Sequence, residues 1–241
     1  MRGGHRIALI IPALDEEAAV ADVVDSAPSW VDRIIVVDNG SSDGTGAAAS
    51  SAGAHVVYER RRGYGSACLA GLREAEGCEI VVFADADRSD DLSEMGRLVA
   101  PLLEGRADLV IGSRMLGHPD RGALGGHQRV GNALACLLIR LRWGVRFTDL
   151  GPFRAVWRGT LDRLGVADPA YGWTAEMQVL AVRHEVRVCE VPVSYRPRLG
   201  RSKISGTLRG SLAAGAGILR VVLRNSLRGD LPNASRRSGG S

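Results

Sequence analysis

Short runs rich in β-branched and apolar residues recur at 7–11, 33–37, 55–58, 79–83 and 109–111, and the stretches between them carry helical periodicity, as at 16–26 and 66–76. That alternation confines the chain to an α/β architecture. Consecutive parallel strands need a long crossover, and a helix is the crossover that also covers a face of the sheet. The pattern predicts a mostly parallel central sheet flanked by helices, with a further strand at 188–195 and further helices at 132–142 and 174–184. Three of the runs end in polar clusters: Pro12-Ala13-Leu14-Asp15-Glu16-Glu17, Asp38-Asn39-Gly40-Ser41-Ser42-Asp43-Gly44-Thr45, and Asp85-Ala86-Asp87. In open α/β sheets ligands sit beyond the carboxyl ends of the strands, so these clusters mark the expected site.

Bulk properties narrow the class. At 241 residues, 45% hydrophobic and 24% charged, the chain is large enough for one sizeable core and is not a disordered segment. Cys68, Cys78, Cys136 and Cys189 form no CxxC pair, and a reducing cytoplasm is the expected setting. Arginines interrupt both apolar stretches near the length of a membrane span, and only six residues precede the first strand, so neither a spanning helix nor a secretory leader is expected. The net charge is +4, but residues 191–229 hold eight Lys/Arg and no Asp or Glu. That concentration favours anionic partners, here phosphates or an anionic membrane surface, with no nucleic acid expected. Leu208, Leu212, Leu219 and Leu223 share one side of a predicted helix at 207–224 that also carries Arg209, Arg220 and Arg224. Such a helix either lies on an anionic bilayer or packs on the core.

Two carboxylates at a strand end, Asp85 and Asp87, can hold a hard divalent cation against a diphosphate. The alternative is that they cap the next helix. A carboxylate such as Asp38 can accept from a base imide N–H, and Glu16 from ribose hydroxyls. The turn Arg60-Arg61-Arg62-Gly63-Tyr64-Gly65 opens a helix, a combination of cations and helix N-terminus that favours an anion. Its two glycines are not a dinucleotide fingerprint, because Cys68 stands where a third Gly belongs. After the first strand, 12–17 is acidic and lacks a Gly-rich, Arg/Lys-bearing loop, which makes it a poor triphosphate cradle.

Together the three strand-end clusters resemble the family-2 glycosyltransferases of GT-A fold, and within them the dolichol-phosphate and polyprenol-phosphate mannose synthases. The likeness covers about residues 6–207. It implies a GT-A-type nucleotide-sugar-binding fold with a basic C-terminal loop and helix. It also implies donor binding by Pro12, Ala13, Asp15, Glu16, Asp38, Gly40, Arg62, Gly63, Asp85, Ala86, Asp87 and Arg114, with Mg²⁺ or Mn²⁺ on Asp85 and Asp87. The segment Asp149-Leu150-Gly151-Pro152-Phe153-Arg154 resembles the family's Asp-x-x-x-Gly-Phe-Arg, departing by one residue in spacing and by the Pro. Arg198-Leu199-Gly200-Arg201-Ser202-Lys203 resembles the basic loop of the polyprenol-phosphate branch. By this likeness Arg129, Arg154, Arg198, Ser202 and Lys203 bind acceptor or phosphate, and Asp87, Asp149, Glu176, Arg198 and Lys203 are the catalytic candidates. Glu176 can equally be a favourable charge at a helix start.

The implied reaction is an inverting transfer of a hexose, mannose or glucose, from a GDP- or UDP-linked sugar to a polyprenyl phosphate on the cytoplasmic face of a membrane. An anionic acceptor needs no strong base, whereas a hydroxyl acceptor would call on Glu176 or Asp149. Transfer to a small soluble or other lipid acceptor, and a non-catalytic sugar-nucleotide or lipid-phosphate binding module, are the alternatives. The expected organisation is a catalytic domain at 1–207, an amphipathic helix at 208–228 and a flexible tail at 229–241.

Overall fold

The computed structural model describes residues 1–117, 119–199, 217 and 219–226. Strand β1 (Ile7–Ala13) leads through α1 (Val20–Asp25) to β2 (Arg33–Asp38), then through α2 (Thr45–Ser51) to β3 (His55–Tyr58). Helix α3 (Tyr64–Glu74) returns the chain to β4 (Ile80–Phe83), and α4 (Met95–Leu103) to β5 (Leu109–Ser113). The second half runs α5 (Gly126–Trp143), β6 (Arg154–Trp157), α6 (Arg158–Leu164), α7 (Trp173–Arg183) and β7 (Val188–Pro192).

Among the described residues the sheet has seven strands, in the order β3-β2-β1-β4-β6-β5-β7. All pairs are parallel except those of β6, which runs antiparallel to both β4 and β5. Strand β6, only four residues long, is a strand that the periodicity of the sequence does not announce, and the short helices α2, α4 and α6 are not read from it either. Because it runs backwards, its first residue, Arg154, pairs with Phe83 and Ile111 near the carboxyl ends of β4 and β5. The turn before β6 is thereby delivered to the edge where β1, β2, β4 and β5 end.

Side chains alternate across β1, and the sheet is covered on both sides. Ala8 and Ile10 face a layer containing Ala67, Cys68, Cys136, Ile139, Trp173 and Met177 from α3, α5 and α7. Ile7, Leu9 and Ile11 face Val20, Val23, Met95, Leu98 and Leu102 from α1 and α4. Helix α1 is shorter than the periodicity at 16–26 predicts. The N–H groups of Glu16 and Glu17 donate to the side chains of Thr45 (2.8 Å) and Asp43 (3.4 Å), which holds this stretch to the neighbouring loop instead of a helix. At 219–226 the chain is helical, with Val221 and Val222 buried in the core and Leu219 and Leu223 exposed. The described part of the predicted terminal helix therefore packs on the protein through its valines.

Candidate active site

Three loops are laced together on one side of the sheet edge. Asp38, last residue of β2, lies opposite Ala13 and is buried, and its Oδ1 accepts from Ser41 N at 2.8 Å. Asp15, with φ of 52°, donates its N–H to Ser41 Oγ (2.9 Å) and accepts from Ser42 N (2.6 Å). Asn39 donates to the carbonyls of Glu59 (3.0 Å) and Arg61 (2.8 Å) and accepts from Gly63 N (2.7 Å). Arg62 donates to the carbonyl of Gly40 at 2.8 Å. The residues expected to contact a donor, Pro12 to Glu16, Asp38, Gly40, Arg62 and Gly63, thus share one neighbourhood.

The turn at 60–65 differs from expectation in one respect. The first N–H groups of α3 do not face open solvent: Gly65 N donates to Ala170 O (3.2 Å) and Ser66 N to Pro169 O (2.9 Å). A Cβ on Gly63 would come within 2.2 Å of Pro169 O, and one on Gly65 within 1.9 Å of Asp168 O. These glycines admit the backbone of 168–170, and the helix terminus is capped by protein carbonyls, not left for an anion.

At the centre of the edge β4 runs into Asp85, Ala86 and Asp87. Asp85 N donates to Asp90 Oδ2 at 3.0 Å, and Asp87 accepts from Ser89 N at 3.0 Å. Burial, followed by the negative charges of Asp87 and Asp90, raises Asp85 well above the ordinary carboxylate range. Burial also pushes Asp90 up, to about 7, with the Asp85 N–H opposing and the Asp87 charge adding to it. Three acidic side chains crowd one place. Arg198 enters from the segment after β7, pairs with Glu16, and approaches Asp87 Oδ2 at 3.4 Å. That segment is strapped to the 87–91 loop through Arg196 N to Ser89 O (2.9 Å) and Leu199 N to Asp87 O (3.0 Å).

On the far side Arg114 forms a fork with Asp149, its Nε and Nη2 each 2.7 Å from a different carboxylate oxygen. Burial works against the Arg114 charge, but the Asp149 hydrogen bonds and charge outweigh it and raise its pKa. The Arg114 guanidinium lies 5.0 Å from the centre of the Tyr195 ring. Asp149 is fully buried, and Glu190 accepts from the main-chain N–H groups of Thr148 (3.0 Å) and Asp149 (3.1 Å). Asn132 of α5 closes the same turn, donating to Thr148 O (2.9 Å) and accepting from Leu150 N (2.8 Å).

Three sequence expectations need correction. Asp149 is not placed as a base: its carboxylate is buried and held by Arg114. Glu176 is 3% exposed, accepts from Ala167 N (2.9 Å) and Asp168 N, and is paired with Arg224. Its carboxylate holds the 167–170 turn that docks against Gly63 and Gly65. Arg154 is fully buried and donates to the carbonyls of Leu150 (3.3 Å), Gly151 and Thr174 (3.1 Å), so it faces no acceptor. Burial lowers its pKa to about 10. Arg129 stands exposed on the first turn of α5 and makes no side-chain hydrogen bond among the described residues. Gly200, Arg201, Ser202 and Lys203 lie outside the described residues. Sequence reading missed Asn39, Ser89, Asn132 and Glu190 as organisers of the site. Only Asn39 and Ser89 adjoin a recognised motif, so only these two carried a local signal.

The model for Glycosyl transferase family 2 matches residues 8–164, and the chain belongs to that family. It is a glycosyltransferase with a GT-A-like fold. An uncharacterized glycosyltransferase of Mycobacterium tuberculosis is 39% identical over 91% of this chain and 99% of its own length. The undecaprenyl-phosphate mannosyltransferase of Micrococcus luteus is 30% identical over 85% of this chain and 90% of its own. Among solved structures, glucosyl-3-phosphoglycerate synthase from M. tuberculosis, in complex with Mn²⁺, UDP-glucose and phosphoglyceric acid, superposes with a TM-score of 0.75 at 27% identity. That likeness covers 97% of this chain and 83% of the other.

Proposed function

We propose that the protein transfers a hexose, with inversion, from a nucleotide-diphosphate sugar to a polyprenyl phosphate, working as a peripheral protein on the cytoplasmic face of a membrane. The observation that carries the reading is the convergence of Asp38, Asp85, Asp87, Glu16 and Arg198 at one sheet edge. Acidic groups alone would repel a diphosphate. The crowding that raises Asp85 and Asp90 is the surrounding expected of carboxylates that share a cation. Among the described residues no group of three or more His, Cys, Asp or Glu is set to enclose a metal. Two carboxylates with the remaining ligands from phosphate and water fit Mg²⁺ or Mn²⁺, which take oxygen ligands and are commonly held against substrate phosphates. Asp85 and Asp87 would hold the ion, and it would neutralise charge on the leaving diphosphate.

Asp38 and Glu16 orient the nucleoside by accepting hydrogen bonds, and Ala13 and Gly40 line its place. Arg198 exchanges its contacts with Glu16 and Asp87 for donor or acceptor phosphate, adding positive charge where the leaving group develops negative charge. An acceptor phosphate is already ionised and needs no base, in keeping with Asp149 and Glu176 being engaged elsewhere. The catalytic unit is proposed to span 1–207, with 208–228 as a membrane-contacting segment and 229–241 as a tail.

A second reading has its own support: the structural neighbour's complex holds a soluble phosphorylated acceptor, phosphoglyceric acid. The deciding experiment offers labelled GDP-mannose and UDP-glucose, with Mn²⁺ or Mg²⁺, to detergent-dispersed undecaprenyl phosphate and, separately, to phosphoglyceric acid. Label entering the lipid phase is expected. Label entering only phosphoglyceric acid would replace the lipid reading with the soluble one, and no transfer to either acceptor would overturn both.

A further inference from the structure

We infer that the exposed face of α5 is a docking surface for an anionic lipid bilayer. Val130, Leu134, Leu137 and Leu141 are 69, 55, 45 and 74% exposed, high values for large apolar side chains. Their spacing puts all four within about 60° of arc on the helix, while Ala135, Cys136 and Ile139 face the core from the other side. Val145 extends the stripe beyond the helix. A contiguous apolar stripe on a soluble domain marks an interaction face.

Charge identifies the occupant. From Arg121 to Thr148 there is no Asp or Glu, and Arg129, Arg140, Arg142 and Arg146 are all exposed. By helix geometry Arg129 and Arg140 flank one side of the stripe and Arg142 the other. Apolar side chains rimmed by arginines suit insertion to the depth of the headgroups, with the cations left among lipid phosphates. A protein partner would call for complementary carboxylates of its own on both flanks of the stripe, whereas an anionic leaflet supplies negative charge everywhere. Helix α5 does not cross the membrane: no helix among the described residues is long and apolar enough to do so.

The position of α5 gives the docking a purpose. Asn132 ties it to the 148–150 turn whose Asp149 holds Arg114 at the sheet edge. A bilayer under α5 would lie beside the site, where a lipid-borne phosphate has only a short way to travel. For that purpose the inference rests on the lipid-acceptor reading, but the docking itself is measurable without any sugar.

The test is co-sedimentation of the full chain with phosphatidylcholine vesicles and with phosphatidylcholine–phosphatidylglycerol vesicles, at low and high salt. Two double variants are compared with the wild type: Leu134→Gln with Leu141→Gln, and Arg140→Glu with Arg146→Glu. The wild type should bind the anionic vesicles, weaken in high salt, and leave neutral vesicles largely unbound; each variant should bind about tenfold more weakly. Thermal stabilisation by nucleotide and Mn²⁺ should be the same in all three, which separates failure of docking from failure of the transferase site. Three outcomes overturn the inference: no vesicle binding by the wild type, equal binding by the variants, or a dimer that Leu134→Gln with Leu141→Gln dissociates while vesicle binding is unchanged.

Discussion

Asp87 and Asp149 both sit in loops at the sheet edge, yet their surroundings assign them opposite work. Asp87 points toward Arg198 and its neighbours Asp85 and Asp90, in a place that gains from added positive charge. Asp87→Ala should therefore abolish metal-stimulated transfer, by at least about a hundredfold in kcat/KM, with the melting temperature little changed. Wild-type turnover with unaltered Mn²⁺ dependence would remove Asp87 from the metal site. Asp149→Asn should instead destabilise the fold, since the largely covered Arg114 would be left without its counter-charge; a loss of about 2–4 kcal/mol in urea unfolding is expected. Glu176→Gln should cost stability while leaving the shape of the pH–rate profile unchanged, whereas a general base would lose its acidic limb. Asp90 gives a pH dependence. Its folded pKa of about 7 lies above the ordinary 3.8, so the folded state holds its proton longer than the unfolded state. Stability in EDTA should fall as pH rises from 4 to about 7 on this account, and Asp90→Asn should flatten that slope.

Among the elements, α3 and the strap after β7 decide how the site is assembled. The sequence reads Arg60 to Gly65 as a basic turn opening a helix, which is correct, and assigns the helix terminus to an anion, which the structure overturns. Local sequence shows that the first N–H groups of α3 need acceptors but not which acceptors reach them. They are the carbonyls of residues 169 and 170, about a hundred residues away in the chain, admitted only because positions 63 and 65 lack a Cβ. Gly65→Ala should force the 168–170 turn away and lower stability by about 1–3 kcal/mol or more, read from the denaturant midpoint. An unchanged midpoint would mean that the turn can move aside freely. The strand-end carboxylates were more legible, because Asp38 ends β2 and Asp85 stands two residues beyond β4, so the strand end itself fixes where they lie.

At the level of the whole molecule, the sheet order brings to one edge groups that the chain spaces widely, as in the pairing of Arg198 with Glu16. Nucleotide binding should accordingly stabilise the entire fold and not one lobe. UDP or GDP with Mn²⁺ is expected to raise the melting temperature in a single transition, and EDTA should remove most of the shift. A shift of equal size without metal would separate nucleotide binding from the carboxylates.

By itself the sequence determined the strand–helix alternation, the two-sided burial of the sheet and the carboxylates at the ends of β2 and β4, because side-chain periodicity and strand-end chemistry are local properties of the chain. Only the tertiary structure decided that β6 inserts backwards between β4 and β5, that Arg154, Asp149 and Glu176 are buried partners instead of groups facing substrate, and that Arg198 lies over Asp87. Each depends on a contact between segments far apart in sequence, and burial is a property of what packs against a residue, which no local pattern specifies.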